Sequence, residues 1–304
     1  MANKTISDLL ADFELRHAQK SYANERRRVR SKIIQGIEEE KRALLLKKLE
    51  CAFLQGEARA CDKELAALEQ REQEALRAEG IAEEYDCPAC RDTGVIGGKY
   101  CNCFLYEVYR LVYGAVDLKT LTESFDTFDR SVFDDKLPQK SGKTQRQMME
   151  LYRKICEDYI GVFPKTVKQN ILLRGKAGLG KTYLLNCMAK EAHKKGIDVC
   201  LMRSAALFDV FFKHRMGEEV PLEFLRNVQL LLIDDLGTEP VTQNVSTEYL
   251  FDLLNRRLEA GLHTVVATNI DDLQKRYDER ISSRLEAKQA CATLFFDGED
   301  LRLK

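Results

Sequence analysis

The segment from residue 175 to residue 182 has the spacing of a phosphate-binding loop, GxxxxGK followed by threonine. Its glycines let backbone N–H groups converge on phosphate oxygens, and the helix predicted to follow adds positive potential at its N-terminus. The lysine of such a loop reaches the β- and γ-phosphates, and the threonine hydroxyl binds Mg²⁺. The predicted nucleotide-binding residues are Gly175, Lys176, Ala177, Gly178, Leu179, Gly180, Lys181 and Thr182.

Two acidic residues follow a second apolar run. Asp234 and Asp235 come directly after the predicted strand Val228–Ile233. A carboxylate at the carboxyl end of a parallel strand faces the ligand crevice. We therefore expect Asp234 to bind Mg²⁺ as a Walker B carboxylate, and Asp235 to act as general base on the attacking water. The alternative is a pair of strand-end acids in a solvated loop.

An amide side chain follows a third predicted strand. Asn269 comes directly after Thr264–Thr268. Its amide is expected to orient the attacking water or to contact the γ-phosphate. Because asparagine also ends strands for reasons of turn geometry, this residue alone is weak evidence of a site.

Four of the ten cysteines lie close together in the sequence, as Cys87-Pro-Ala-Cys90 and Cys101-Asn-Cys103. Four thiolates satisfy a tetrahedral Zn²⁺, and glycines between the two pairs allow a tight hairpin. The closing CxC departs from the commoner CxxC spacing. The alternatives are free thiols, a redox pair at Cys87 and Cys90, or an iron–sulfur cluster. The other six cysteines occur singly, so we expect them to be small buried apolar residues.

The elements that must position these residues belong to a chain of 304 residues with a formal net charge of −1. Its 44% apolar and 32% charged residues exclude bulk disorder and a collagen-like fibre. No apolar run approaches the length of a membrane-spanning helix, and the first residues lack a signal peptide's apolar core. We therefore expect a cytoplasmic protein with no membrane association. Near-neutral charge confines any nucleic-acid binding to local patches.

Helix-forming residues dominate up to about residue 84, which predicts a helical hairpin or short coiled coil with a break near Gly36 or Gly56. A basic block in this region, from Arg26 to Lys32, is followed by Glu38, Glu39 and Glu40. It is interpreted either as a solvated helix face with partners of opposite sign, or as a contact with a protein or a phosphate backbone.

The remaining chain is predicted to form a connector and an α/β domain. The connector ends in a long helix from Gln145 to Tyr159, and from Gln169 onward apolar strands alternate with amphipathic helices. That alternation predicts a parallel sheet with crossover helices. The predicted organisation is a helical partner-binding region at 1–84, a zinc-binding module at 85–115, a connector with the first helix of the next domain at 116–165, and an ATPase domain at 166–304.

Four motifs taken together resemble the DnaC/DnaI/IstB group of AAA+ ATPases: GKAGLGKT, LLLIDDLG, VVATN and DERISSRL. The resemblance runs from Phe125 to the C-terminus, and CPAC…CNC is similar to the zinc-binding region of DnaI-type helicase loaders. It implies an AAA+ P-loop ATPase with a five-stranded parallel sheet in the order 5-1-4-3-2, without a C-terminal helical lid. The implied cofactors are ATP, Mg²⁺ and Zn²⁺.

The same resemblance implies roles for further residues. Asn269 falls at the sensor 1 position. Arg284 falls at the arginine-finger position, which acts in trans on a neighbour's nucleotide, and Arg280 is a second candidate. The alternative for both arginines is ion pairing on the helix surface. Arg302 matches an arginine near the sensor 2 role, and the Phe125–Phe128 segment resembles a stretch that helps to hold the adenine.

An inserted helical region between Ser204 and Asn227 contains aromatic and basic residues, namely Phe208, Phe211, Phe212, Lys213, His214 and Arg215. It resembles the extra helix of the initiator clade of AAA+ proteins. Two interpretations stay open. The aromatic and cationic side chains bind single-stranded DNA by stacking and phosphate contact, or the helix buries its phenylalanine face in the core.

Three functions are compatible with these features. The first is a protein that loads the replicative helicase onto single-stranded DNA, with ATP-dependent self-association and a weak ATPase activity stimulated by a partner or DNA. The second is an IstB-like transposition ATPase that acts with a transposase on duplex DNA. The third is a nucleotide-dependent adaptor with little turnover. The helical and cysteine-rich region favours the first, because a transposition ATPase does not require a helicase-binding module.

Overall fold

The computed structural model describes residues 5–53, 59–139, 142–239 and 246–303. The chain divides into two compact units, one comprising Ile6–Phe104 and the other the chain from Leu105 onward. The finer division into four segments stays a prediction.

The first unit begins with three helices. They are α1 (Ile6–Arg28), α2 (Lys32–Phe53) and α3 (Arg59–Ala78). Each buries a few apolar side chains, which include Leu9, Phe13, Ile34, Ile37, Leu44 and Leu76. A helix that buries one stripe and exposes charged residues elsewhere is stabilised mainly by that packing. The predicted helical character of this region is therefore confirmed.

Of the two places predicted for a break, Gly36 is excluded, since it lies inside α2. A helix interior disfavours glycine by about 1 kcal/mol, and burial of Ile34 and Ile37 on either side of it outweighs that cost. The chain turns instead just before α2, where the Ser31 hydroxyl accepts a hydrogen bond from the Ile34 backbone N–H at 3.1 Å. The alternative place, Gly56, lies outside the described residues, between the end of α2 at Phe53 and the start of α3 at Arg59.

The basic block pairs with acidic side chains of its own unit. Arg27 lies 2.6 Å from Glu84, and Arg28 lies 3.1 Å from Glu83 and 4.0 Å from Glu38. The first interpretation of this block, a helix face with partners of opposite sign, therefore holds for these two arginines.

The cysteine-rich segment folds as a short antiparallel ribbon followed by a helix. The ribbon consists of β1 (Val95–Ile96) and β2 (Lys99–Tyr100), and the helix is α4 (Asn102–Val112). Gly97 and Gly98 form the two-residue turn, both with positive φ, as the predicted hairpin requires. The ribbon brings the second cysteine pair back towards the first.

The second unit contains a five-stranded parallel sheet with helices between the strands, and the predicted α/β fold class is confirmed. Its elements are α5 (Gln145–Val162), β3 (Asn170–Gly175), α6 (Lys181–Lys194), β4 (Val199–Arg203), α7 (Ser204–Arg215), α8 (Leu222–Asn227), β5 (Leu230–Leu236), α9 (Ser246–Glu259), β6 (His263–Thr268), α10 (Leu273–Arg276), α11 (Glu279–Leu285) and β7 (Cys291–Phe296). The strands lie in the order β4-β5-β6-β3-β7. Strands β3, β5 and β6 are therefore central, and their carboxyl ends lie side by side.

The core of this unit lies on both faces of the sheet. Strand β5 is buried from Leu230 to Ile233, and β3 from Ile171 to Leu173. Parallel strands covered on both faces appear in the sequence as continuous apolar runs, which is why these strands were predictable. Helix α5 begins with a capping box in which Thr144 and Gln147 exchange hydrogen bonds with each other's backbone.

Among the described residues, no helix combines the length and apolarity that crossing a bilayer requires.

Candidate functional site

The predicted phosphate-binding loop connects β3 to α6 in the second unit. Gly175, Gly178 and Gly180 all have positive φ, and Gly180 forms the N-cap of α6. Backbone N–H groups at a helix start have no partner within the helix. The loop thus presents donors and the positive end of a helix dipole at the carboxyl edge of the sheet, which suits an anionic phosphate group.

Gly178 allows a close approach that a side chain would prevent. A Cβ atom at this position would lie 1.7 Å from the Asp300 Oδ1 atom. The Gly178 carbonyl also accepts a hydrogen bond from the Leu301 backbone N–H at 2.9 Å. The turn that follows β7 is therefore packed against the loop.

Lys181 folds back over the loop. Its Nζ atom donates hydrogen bonds to the carbonyl oxygens of Gly175 and Lys176, each at 2.6 Å. Burial lowers the pKa of Lys181 below its ordinary value, while the charges of Asp235 and Asp234 oppose this shift. An incoming phosphate would supply the negative charge that this buried ammonium group lacks.

Thr182 and Asp234 lie together, as expected of two Mg²⁺ ligands. The Thr182 hydroxyl donates to Asp234 Oδ1 at 3.1 Å. Burial raises the pKa of Asp234, and the nearby charge of Asp235 adds to this shift. A hydroxyl and a carboxylate are the oxygen ligands that Mg²⁺ takes alongside substrate phosphates, so these residues fit the ion.

Asp235 and Asn269 also lie together. The Asn269 Nδ2 atom is 3.4 Å from Asp235 Oδ1. The Asn269 Oδ1 atom is buried and has no hydrogen-bond partner within the described part of the chain. A buried acceptor without a partner is costly, and a water molecule in the site would satisfy it. The structure thus brings the two residues together, and their roles towards an attacking water stay a prediction.

Arg284 and Arg280 lie on α11 and contact α9. Arg284 Nε donates to Asn255 Oδ1 at 2.9 Å, and both guanidinium groups lie within 5.5 Å of the Phe251 ring centroid. Arg280 also pairs with Asp278 at 3.2 Å. The ion pair of Arg280 agrees with the alternative interpretation, pairing on the helix surface. Arg284 instead binds an uncharged side chain of α9.

Arg302 lies next to the phosphate-binding loop but is already paired. Its Nε and Nη2 atoms bind the Asp300 carboxylate at 3.0 and 2.9 Å. Burial lowers the pKa of Lys181, and the positive charge of Arg302 adds to that shift. The guanidinium of Arg302 is therefore engaged by Asp300 in this structure, and its role in nucleotide binding stays a prediction.

The inserted region forms α7 and α8. Phe208 and Phe211 are buried, with 7% and 1% of their surface exposed, whereas Phe212 is 48% exposed. The packing interpretation therefore holds for the first two rings. Phe212 at the exposed end of α7 stays available for stacking, next to the basic residues of the last turn.

The Phe125–Phe128 segment borders a cavity of about 510 Å³. The cavity is lined by Phe125, Phe128, Arg130, Glu150, Arg153 and Lys154. The guanidinium of Arg153 lies 5.8 Å from the centroid of the Phe128 ring. The lining thus combines two aromatic rings with four charged side chains, and the adenine contact of this segment stays a prediction.

The four cysteine sulfurs come together within the first unit. The Sγ atoms of Cys87, Cys90, Cys101 and Cys103 all lie within 4.8 Å of one another. Two pairs are closer, Cys87 with Cys101 at 3.9 Å and Cys90 with Cys103 at 3.5 Å. Zinc–sulfur bonds of about 2.3 Å place tetrahedral sulfur ligands about 3.8 Å apart. The four residues therefore fit a tetrahedral zinc ion.

Three residues near these sites were not predicted. Asp92, which is 1% exposed, accepts hydrogen bonds from the backbone N–H groups of Asp86 and Cys87, at 2.9 and 2.7 Å. Ser204 donates to the Asp235 carbonyl at 2.8 Å, and Asp300 lies against Gly178. For Ser204 a signal was present, since it directly follows a strand end at the same edge of the sheet.

Residues 134–277 are similar to proteins of known families. Residues 134–277 match the family model described as IstB-like ATP binding protein. The replicative helicase loader DnaC of Escherichia coli K12 is 27% identical over 168 residues, which cover 50% of this chain and 67% of DnaC. The replicative helicase loader DnaI of Bacillus subtilis is 25% identical over 139 residues, which cover 44% of each chain.

A third relative belongs to an insertion sequence and is not described as a helicase loader. The IS21 putative ATP-binding protein of Pseudomonas aeruginosa is 28% identical over 109 residues, which cover 35% of this chain and 41% of that protein. The chain therefore spans less than half the length of two of these three relatives. The predicted resemblance to the DnaC/DnaI/IstB group is confirmed, and it rests on the similarity of residues 134–277 to the IstB-like ATP-binding family and on the two helicase loaders.

Proposed function

We propose that this protein binds and hydrolyses ATP and loads the replicative helicase onto single-stranded DNA. The observation that carries the proposal is that one chain combines an ATP-binding unit with a helical, cysteine-containing unit. One holds an IstB-like ATP-binding domain, and the other is a helical unit that ends in four clustered cysteines. DnaC and DnaI, two relatives of the ATP-binding part, are replicative helicase loaders, which supports the choice of a helicase as partner.

In the proposed reaction, backbone N–H groups of the loop and Lys181 bind the phosphates of ATP. Thr182 and Asp234 hold Mg²⁺, which neutralises phosphate charge when bound. Asp235 accepts a proton as the water oxygen bonds to the γ-phosphorus, and Asn269 orients that water. The bond from the γ-phosphorus to the bridging oxygen breaks, which leaves ADP and phosphate.

The cysteine cluster would complete the partner-binding unit. We propose that Cys87, Cys90, Cys101 and Cys103 hold one structural Zn²⁺, because four thiolates leave no open position for catalysis. The bound ion would fix the ribbon against α4. We place the protein in the cytoplasm, where such thiols stay reduced.

A second candidate is an IstB-like transposition ATPase that acts with a transposase on duplex DNA. The description of the matching family model and the relative from IS21 favour it. The two candidates share the ATP site and differ in the partner and in the form of DNA. An experiment that tests the partner therefore separates them.

The first test asks whether the full chain captures the replicative helicase of its host. An exposed apolar row on α2, formed by Leu45, Leu46 and Leu49 at 49, 58 and 60% exposure, provides the probe. We expect the wild type to bind the helicase in a pull-down, and the double variant Leu45→Glu/Leu49→Glu to bind at least about tenfold more weakly.

The matched control is Val162→Glu, an exposed apolar residue at the end of α5, which should bind the helicase normally. All three chains should bind ATP equally. No helicase capture, together with assembly of the wild type on duplex DNA, would sink the loader and favour the transposition ATPase. If the wild type binds ATP but does not hydrolyse it, either with or without single-stranded DNA, the remaining interpretation is a nucleotide-dependent adaptor.

The second test concerns Arg284, which we propose acts on the nucleotide of a neighbouring copy. Arg284→Ala should bind ATP normally and lower the hydrolysis rate about 100-fold or more, because a guanidinium stabilises charge on the transferred phosphoryl group. Mixing Arg284→Ala with Lys181→Ala should restore hydrolysis, since one chain then supplies the nucleotide and the other the arginine. Steady-state phosphate release measures both.

The control is Arg256→Ala on α9, whose side chain pairs with Asp252 at the surface. It should hydrolyse ATP at the wild-type rate. A mixture as inactive as its two components would rule out action in trans, and an effect confined to Arg280→Ala would transfer the role to Arg280.

A further inference from the structure

The backbone of Asp235 adopts a conformation that its residue type disfavours. Its φ angle is 54°, in the left-handed region, and the pairing of β5 with β6 shifts register between Ile233 and Leu236. A non-glycine residue stays in this region only where its surroundings impose it, and such residues cluster at functional sites. The contacts that impose it on Asp235 therefore matter for the direction of its carboxylate.

Three donors meet at the Asp235 carbonyl oxygen. The Thr238 backbone N–H and hydroxyl donate at 3.2 and 3.0 Å, and the Ser204 hydroxyl donates at 2.8 Å. Thr238 belongs to the same turn, so its contacts are local. Ser204 comes from a different part of the sheet and makes the shortest of the three contacts.

Ser204 is well placed to hold the Asp235 backbone. It is completely buried and is the first residue of α7, directly after β4. Strand β4 pairs with β5 in a register that sets Arg203 opposite Asp234. Because strand pairing and the helix start both fix Ser204, its hydroxyl provides a rigid anchor rather than an adaptable contact.

We propose that Ser204 is a positioning residue for ATP hydrolysis, whose hydroxyl holds the backbone of Asp235 so that its carboxylate faces Asn269 and the attacking water. This inference rests on the proposed hydrolysis of ATP. Ser204 acts through Asp235, so it should influence the chemical step and leave nucleotide binding unchanged.

The experiment compares Ser204→Ala with the wild type in the full chain. Nucleotide affinity is measured with a fluorescent ATP analogue, the chemical step by single-turnover hydrolysis of ATP, and stability by thermal unfolding. We expect affinity within about twofold of the wild type and hydrolysis slowed about tenfold to 100-fold, as for a small displacement of a catalytic group.

The matched control is Thr166→Ala. The Thr166 hydroxyl also donates to a carbonyl, that of Lys168 at 2.8 Å, but in the loop before β3, at the other end of the sheet. Its hydrolysis rate should equal that of the wild type. If Ser204→Ala fails to fold, the exposed Thr238 provides a second test, since Thr238→Ala should slow hydrolysis and Thr238→Ser should restore it.

The decisive comparison uses Asp235→Asn as a background. If Ser204 acts through Asp235, adding Ser204→Ala to Asp235→Asn should cause no further loss. A full additional loss, or a wild-type rate in Ser204→Ala, would overturn the role of Ser204 and leave the proposed function intact. A wild-type chain that binds ATP without hydrolysing it would overturn both.

Discussion

Replacing Lys181 by alanine is expected to weaken ATP binding by at least about 100-fold, which corresponds to about 3 kcal/mol. Two effects add up. The variant loses an ammonium group that donates to phosphate oxygens, and the loop loses the hydrogen bonds from Nζ to the carbonyls of Gly175 and Lys176. Titration calorimetry with a non-hydrolysable ATP analogue measures the affinity, and circular dichroism checks the fold.

The control for this prediction is Lys194→Ala at the far end of the same helix, α6. Its side chain lies 3.8 Å from Glu191 at the surface, and exposed pairs of this kind contribute about 1 kcal/mol or less. It should bind ATP as the wild type does. Unchanged affinity in Lys181→Ala would contradict the assignment of the loop as the phosphate site.

Replacing Cys101 by serine is expected to remove the metal and unfold the cysteine-rich segment. The side chain is buried, and a serine hydroxyl does not replace a thiolate ligand. Structural zinc contributes on the order of 10 kcal/mol to the folding of small modules, so its loss exceeds what the short ribbon can compensate. Elemental analysis should find about one zinc per wild-type chain and none in the variant, and limited proteolysis should show cleavage in the cysteine-rich segment.

Cys61→Ser provides the control, because Cys61 is a buried cysteine of α3 in the same unit and lies outside the cluster. It should keep the metal and resist proteolysis, with only a modest loss of stability from the buried hydroxyl. A wild-type protein that folds this segment without metal would refute the zinc site.

The sequence predicted those features that depend on neighbouring residues. The loop from Gly175 to Thr182 is a local pattern, and the buried strands appear as apolar runs. The break at Gly36 failed because propensity is a small term and burial of Ile34 and Ile37 is a larger one. Ser31, three residues before Ile34, was the better signal, since serine is favoured at helix starts.

The long-range contacts could not be derived in the same way. The hydrogen bond from Ser204 to Asp235 spans 31 residues, and the contact of Asp300 with Gly178 requires the turn after β7 to return to β3. Each depends on strand order and register together. Asp300 lies in no pattern that marks it, and the position of Ser204 after a strand end does not by itself identify Asp235 as its partner. The sequence alone also could not decide whether Phe208 and Phe211 stack on DNA or pack in the core. The reason is related, because burial of an aromatic ring depends on the elements packed over it.

The position of β3 in the sheet has a consequence for synthesis on the ribosome. Both strands that pair with β3 come later in the chain, β6 beginning at His263 and β7 at Cys291. At roughly 5–20 residues per second, the strand that leads into the phosphate loop waits on the order of ten seconds for its partners. The strand that leads into the phosphate loop is therefore paired on both sides only after β7 has been synthesised, and a nascent chain stalled before β6 would expose β3 as an unpaired apolar strand to chaperones.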